Sequence, residues 1–343
     1  MAPEPLRVPF LGSTLHVVPE GTVRRHLSIL QALDDLRAGL RQQGDGRSVQ
    51  TAASELAWPG DRQRTRLRLC RAGLAEPPLV GGLERAFPAV DVAAAAGDAA
   101  VPRWMMVMDG RIGRPLALLE GDHLSRQRAA ATVALATDLM APPQVKVLAH
   151  VGLGPRAESL VKALMMVRPS LERVLVGRRR DQKETPLWLA DLDVEAELVT
   201  PEQAVAQAQI LTVDSGEPDP VEMESGDVVV PTTAAGPHLV HLNLLAGAQI
   251  PETLARRCLP SAGGFLVAQD PQRSESVGGT FDHLARRGEL LWRGVPTLGE
   301  LVSDEGALHL AQRAEVTALL AGGGAIADLA LAAGVLRRLG IVE

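Results

Sequence analysis

A glycine turn between a strand and a helix, in the middle of the chain, limits the possible folds more than any other feature. The turn reads GLGPRA over residues 152–157, a variant of the G-x-G-x-x-G pattern that opens dinucleotide-binding units. Residues 145–151 before it are almost continuously apolar, as buried parallel strands are. Leu160 and Leu164 after it have helical spacing. This order predicts the first unit of a doubly wound Rossmann sheet.

Each residue of the turn has a place in such a unit. Gly152 permits the sharp turn, Gly154 lets a pyrophosphate approach the backbone, and Ala157 lets helix and strand pack closely. The helix N-terminus presents N–H groups to the phosphates, and Pro155 and Arg156 lie in the same loop. All five residues are therefore predicted to contact a dinucleotide. A glycine turn that binds no ligand is the alternative.

The end of the next predicted strand indicates which nicotinamide dinucleotide binds. NAD sites place an Asp or Glu there for the ribose 2′-hydroxyl, whereas a 2′-phosphate requires arginine. Residues 173–176 are followed by Gly177 and three arginines, with no carboxylate before Asp181. Arg178 and Arg179 are therefore predicted to bind a 2′-phosphate, which favours NADPH over NADH. The alternative is a solvated basic turn.

Strand and helix patterns extend on both sides of the turn. After it, helices are predicted at 156–167 and 201–208, and strands at 172–177, 209–213, 226–231, 238–245 and 264–269. This alternation indicates a parallel sheet. Before it, the sequence predicts helices at 23–40 and 124–140 and strands at 14–19, 64–70, 104–109 and 115–120. Residues 308–339 are predicted to be helical, with an interruption at the glycines 322–324.

Length, charge and cysteine content limit the class of protein. The 343 residues exceed one typical domain and predict two. A net charge of -6 argues against nucleic-acid or membrane-surface binding, because both need clustered positive charge. Cys70 and Cys258 lack metal-ligand spacing, so a reduced cytoplasmic protein without a metal is expected. No signal peptide is recognisable, and no apolar run reaches the roughly 20 residues of a bilayer span.

The clearest family signature lies in residues 113–121, which read GRPLALLEG, and residues 124–131, which read LSRQRAAA. They resemble the patterns G-x-P-L-A-L-L-D-G and L-T-x-x-R-T-A-A of the ornithine cyclodeaminase/mu-crystallin family, at the family's distance from the glycine turn. Residues 18–50, 298–301 and 323–329 are similar to further segments of that family. The resemblance covers most of the chain.

That resemblance implies an architecture and a chemistry. The Rossmann domain, residues 144–304, is expected to be inserted in a second α+β domain for substrate binding and dimerisation, residues 1–143 plus 305–343. Family members are commonly homodimers that bind a nicotinamide cofactor and act on amino or imino acids. The resemblance therefore implies a homodimeric oxidoreductase.

The sequence departs from the family where the substrate carboxylate is held. By resemblance, two of the family's three basic residues are absent, since their positions fall near Ala53 and Gly82, and only Arg128 remains. Residues 238–247 lack the aspartate of the cyclodeaminases, although some members without it are ketimine reductases. Burying a carboxylate without enough cationic partners costs several kcal/mol. We therefore expect a substrate without a free α-carboxylate, either a small molecule or one linked to a carrier or peptide.

Arginine and histidine side chains are the candidates for catalysis. By resemblance, Arg128 faces substrate and cofactor. His241, on a strand predicted near the nicotinamide end, and His123, close to Arg128 in sequence, have an ordinary pKa suited to proton transfer. His238 lies three residues before His241, so on a strand only one of them faces the site. Structural histidines and a surface arginine are the alternatives.

Two hydroxyl side chains lie at the end of the predicted strand 209–213. Thr212 and Ser215 match a loop that lines the cofactor in the family. They are predicted to bind the ribose or the adenine side of the dinucleotide. Loop capping explains them equally well.

Two functions of different classes are consistent with the sequence. The first is an NADPH-dependent reductase of a C=N or related unsaturated bond, in specialised metabolism. The second is a catalytically silent NADP(H)-binding protein that serves other enzymes as a partner or scaffold. The missing basic residues and aspartate keep the second hypothesis open.

Overall fold

The computed structural model describes residues 4–10, 13–51, 54–57, 66–87, 103–152, 154, 156–178, 185–214, 236–245, 248–277 and 279–343. The chain divides into two compact units, one of Met1–Arg128 with Gly324–Glu343 and one of Ala129–Gly323. Among the described residues, no helix is long and apolar enough to cross a membrane.

The described residues form fifteen strands and eleven α-helices. In chain order the strands are β1 (Leu6–Phe10), β2 (Ser13–Val18), β3 (Ser48–Gln50), β4 (Ser54–Ala57), β5 (Arg66–Leu74), β6 (Leu79–Phe87), β7 (Trp104–Asp109), β8 (Pro115–Glu120), β9 (Val147–Val151), β10 (Arg173–Gly177), β11 (Glu195–Val199), β12 (Ile210–Asp214), β13 (His241–Leu245), β14 (Phe265–Ala268) and β15 (Thr317–Ala321). The α-helices are α1 (Glu20–Arg25), α2 (Ile29–Gly44), α3 (Asp122–Met140), α4 (Ala157–Val167), α5 (Pro201–Gln207), α6 (Glu252–Arg257), α7 (Pro271–Val277), α8 (Thr280–Arg286), α9 (Leu298–Ser303), α10 (Glu305–Arg313) and α11 (Ala325–Arg338).

The first unit is an α+β domain built on one mixed sheet. Its strand order is β1-β2-β8-β7-β6-β5-β3, and β4 pairs with β5. Only the β2–β8 pair is parallel among the described strands of this sheet. Helices α2 and α11 pack against each other, and α11 covers β5, β6 and β7. An ion pair of 2.7 Å between Arg338 Nη2 and Asp35 Oδ2 joins the two helices.

The two faces of this sheet differ in burial. On the face that α11 covers, Met105 and Val107 of β7 are both fully buried. Because side chains alternate along a strand, the residues between them lie on the opposite face. We call this the open face, and its exposed apolar side chains are Leu6 (62%), Val8 (41%), Phe10 (39%), Val80 (37%) and Met106 (39%).

The second unit contains the parallel sheet that the glycine turn predicts. Its strand order is β11-β10-β9-β12-β13-β15-β14, and the described strands pair in parallel throughout. The chain runs outward from β9 through β10 to β11 and then returns to β12 on the other side of β9. The order therefore reverses between β9 and β12, which confirms the doubly wound Rossmann fold.

The two faces of the parallel sheet carry different side chains. One face is apolar and packs into a cluster that includes Ala149, Val151, Leu211, Val213, Leu242, Leu244, Ala318 and Leu320. The strand registers place His150, Thr212 and Asn243 in one row of the other face. His241 and Thr317 form a second pair on that face. All five polar side chains are at most 1% exposed.

The C-terminal region differs from its predicted helical form. Residues 308–339 contain the end of α10, strand β15 and helix α11. Strand β15 is buried between β13 and β14, and a short run of Thr, Ala and Leu has no period that separates a buried strand from a helix. The contacts divide the chain after residues 128 and 323, whereas the sequence predicts boundaries at 143 and 304. The second boundary lies later than predicted because β15 belongs to the parallel sheet.

Two other predicted elements need comment. The predicted helix 23–40 is two helices, because Ser28 begins α2 with a capping box in which its side chain accepts a bond from Gln31 N. The predicted strand 226–231 lies outside the described residues.

Candidate dinucleotide site

The glycine turn begins directly after β9, and its backbone requires glycine. Gly152 has a φ of +120°, a conformation that L side chains rarely adopt. A Cβ at this position would collide with the carbonyl oxygen of Asp214. Gly154 O accepts a 3.0 Å bond from Ala157 N, where α4 starts, and Ala157 is 2% exposed. The small residues of the turn thus allow close packing of strand, loop and helix.

This turn lies at the switch point of the parallel sheet. Gly152 follows the carboxyl end of β9, and Asp214 is the last residue of the neighbouring β12. In doubly wound sheets, the crevice outside these two strand ends is where dinucleotides bind. Helix α4 begins at the same edge, and its N-terminal N–H groups favour anions there.

Arg156 and Asp214 form a buried ion pair across this switch point. Arg156 Nε lies 3.1 Å from Asp214 Oδ2, and Nη2 lies 2.5 Å from Oδ1. Arg156 is 9% exposed and Asp214 is 2% exposed. The sequence predicts the cation Arg156 in this loop, whereas no local pattern indicates that Asp214 pairs with it.

His150 is the second residue that sequence reasoning missed. It is fully buried, and neither ring nitrogen has a hydrogen-bonding partner among the described side chains. Burial lowers the pKa of His150, while the Asp214 carboxylate and the Gly152 backbone raise it and Arg156 lowers it. Thr212 is the strand partner of His150, and Asp214 lies two residues beyond Thr212, so the ring and the Asp214 side chain are on the same face of the sheet. A single polar residue within an otherwise apolar strand was the available signal.

The predicted phosphate-binding arginines lie beyond β10. Arg178 directly follows β10, its backbone N–H donates to Val199 O at 3.0 Å, and its side chain is partly buried. Arg179, Pro155 and Ser215 lie outside the described residues. Their contacts with a dinucleotide stay predictions.

Thr212 and His241 lie inside the sheet. Thr212 Oγ1 accepts a bond of 3.4 Å from Asn243 Nδ2, and Asn243 Nδ2 also donates to Thr137 Oγ1 of α3 at 3.1 Å. His241 Nδ1 lies 2.7 Å from Thr317 Oγ1, and Nε2 lies 3.2 Å from Asn243 Oδ1. Burial lowers the pKa of His241 to about 3.

The position of His241 differs from the predicted one. It is the first residue of β13, so it lies at the amino edge of the sheet, whereas the glycine turn is at the carboxyl edge. Because His241 is buried and its pKa is lowered at the edge opposite to the glycine turn, its position argues against a role as proton donor there. His238 precedes β13 in an exposed turn.

The candidates of the first unit lie near helices α3 and α11. Arg128 Nε is 2.8 Å from Asp328 Oδ1, and both side chains are largely buried. His123 Nε2 is 2.9 Å from the carbonyl oxygen of Leu27, and burial lowers the pKa of His123. A nitrogen that faces a carbonyl oxygen donates, so Nδ1 of the neutral ring accepts a proton and cannot supply one.

Gly82, near which the resemblance places a lysine of the family, does not admit a side chain in the present strand arrangement. A Cβ on Gly82 would lie 2.6 Å from the carbonyl oxygen of Cys70 and 2.9 Å from Cγ of Arg71. Ala53, at the other substituted position, lies outside the described residues. Within the described part of the chain, no group of three or more His, Cys, Asp or Glu residues could hold a metal ion.

A parallel sheet of this order, with a glycine turn at its switch point, defines a Rossmann-type protein with an added α+β unit. The chain belongs to the ornithine cyclodeaminase/mu-crystallin family, whose model matches residues 16–239. This match confirms the resemblance found in residues 113–131.

Several known proteins are similar to this chain. A Δ1-pyrroline-2-carboxylate reductase of Paracoccus denitrificans is 29% identical over 263 residues, 74% of this chain and 78% of that protein. The iminosuccinate reductase of Paracoccus denitrificans, solved with NAD+, has a TM-score of 0.76 at 18% identity and covers 95% of this chain and 98% of its own. An archaeal alanine dehydrogenase dimer with bound NAD has a TM-score of 0.75 at 18% identity, with 94% of each chain covered. At these identities the two solved structures show the shared fold.

Proposed function

We propose that this protein is an NADPH-dependent reductase of C=N bonds. The observation that carries the proposal is the glycine turn at the switch point of the Rossmann sheet. The named activities of the pyrroline-2-carboxylate and iminosuccinate reductases support the reaction class. The arginines at 178 and 179 support NADPH over NADH, because an arginine fork pairs with a 2′-phosphate.

The residues of the turn fit a dinucleotide. Gly152 and Gly154 leave the backbone open to a diphosphate, and α4 directs its first N–H groups toward it. When bound, the reduced dinucleotide supplies a hydride to the imine carbon, and the nitrogen gains a proton. The chain's own part is to bind and orient the two reactants. The ring nitrogens of His123 and His241 that face hydrogen-bonding partners are engaged within the protein, and neither histidine is placed to donate a proton to the imine. We therefore assign that proton to solvent.

The substrate we propose has no free α-carboxylate. By resemblance, two basic residues of the family's carboxylate site are replaced by uncharged residues, near Gly82 and near Ala53. The remaining Arg128 is neutralised by Asp328 at 2.8 Å. A second carboxylate at this arginine would be buried with too little positive charge. An imine whose α-carboxyl group is converted to an amide or a thioester, through a link to a carrier or a peptide, avoids that cost.

A catalytically silent NADP(H)-binding protein is the second candidate. The observation in its favour is that both candidate histidines are engaged by neighbouring groups and have a lowered pKa. Under this hypothesis the protein binds the dinucleotide and reduces no imine.

The experiment is a turnover assay with matched substrates. The purified protein is incubated with NADPH and with pairs of cyclic imines that differ only in a free carboxylate or its amide, and loss of NADPH absorbance is followed. We expect kcat/KM to be at least about tenfold higher for the amides. Gly152→Ala, which introduces the colliding Cβ, serves as the control for background oxidation. Micromolar KM values for the free acids contradict the substrate proposal, and binding of NADPH without any turnover favours the silent protein.

A further inference from the structure

We draw no further inference here: the strongest candidate, the fully buried His150 on β9 two residues before Gly152, belongs to the dinucleotide site already described, and only the direction of its pKa shift distinguishes it there.

Discussion

Among single residues, His241 shows most clearly how burial changes a pKa. The ring is completely buried, and its pKa falls from the ordinary 6.5 to about 3 because the charged form would lose its hydration. The bond to Asn243 raises the pKa and the charge of Arg168 lowers it, but neither outweighs burial. The imidazole of His241 is therefore neutral in the folded protein at pH values well above 3.

The pH dependence of stability follows with a definite sign. The unfolded chain binds a proton at this histidine near pH 6.5, whereas the folded protein resists it until about pH 3. The contribution of His241 is therefore complete above pH 6.5 and is lost as the pH falls toward 3, by at most about 1.4 kcal/mol per pH unit. Urea unfolding of wild type and His241→Gln at several pH values measures this slope, which should be shallower in the variant. His309→Gln, at an exposed helix position, is the control, and equal slopes for wild type and His241→Gln would refute the assignment.

The sequence predicts the structural role of a residue best where the backbone geometry admits only one residue type. A turn with φ of +120° directly against a carbonyl oxygen admits only glycine, so Gly152 was recognisable from its motif. Asp214 and His150 were not, because their importance depends on a partner from another strand or loop. Arg156 and Asp214 are separated by 58 positions, and nothing local connects them.

Among elements, the sequence predicted those with a distinct period or a clear cap. The alternation of strands and helices around β9 identified the parallel sheet, a long amphipathic stretch identified α2, and a long Ala-rich stretch identified α3. Strand β15 was predicted as helix, because all five of its residues are buried and a doubly covered strand loses its alternation. Only its pairing with β13 and β14 determines its form, and that pairing is nonlocal.

The polar face of the parallel sheet was equally invisible to pattern analysis. Central parallel strands are expected to be apolar on both sides, yet Thr212, His241, Asn243 and Thr317 are completely or almost completely buried there. They satisfy one another and Thr137 of α3 through hydrogen bonds, which is the condition for burying polar groups at low cost.

At the scale of the whole molecule, the exposed apolar side chains on the open face of the first unit's sheet indicate an interaction surface. The family resemblance implies a homodimer, and we expect a second copy to cover this face. Its exposed apolar residues lie on the edge strand β1 and on the neighbouring strands β6 and β7 of one sheet, and exposed apolar patches often mark an interface.

Charge on the open face should separate the two copies. In light-scattering measurements, wild type is expected to be a dimer, and the double change Val80→Glu and Met106→Glu is expected to give a monomer, because each glutamate would be buried without a cation. Leu310→Glu places a glutamate on an exposed apolar residue of α10, away from the open face, and should remain dimeric. A monomeric wild type, or a dimer that survives both glutamates, would show that another surface is used.

The central claim is that this chain holds NADPH at the glycine turn and recognises its 2′-phosphate through arginines beyond β10. Fluorescence titration of the wild type and of the charge-reversed pair Arg178→Glu and Arg179→Glu with both dinucleotides tests it most directly. The account predicts that wild type binds NADPH at least about tenfold more tightly than NADH, and that charge reversal abolishes this preference while leaving NADH affinity intact. Equal loss of both dinucleotides in the variant, or wild type that prefers NADH, would contradict it.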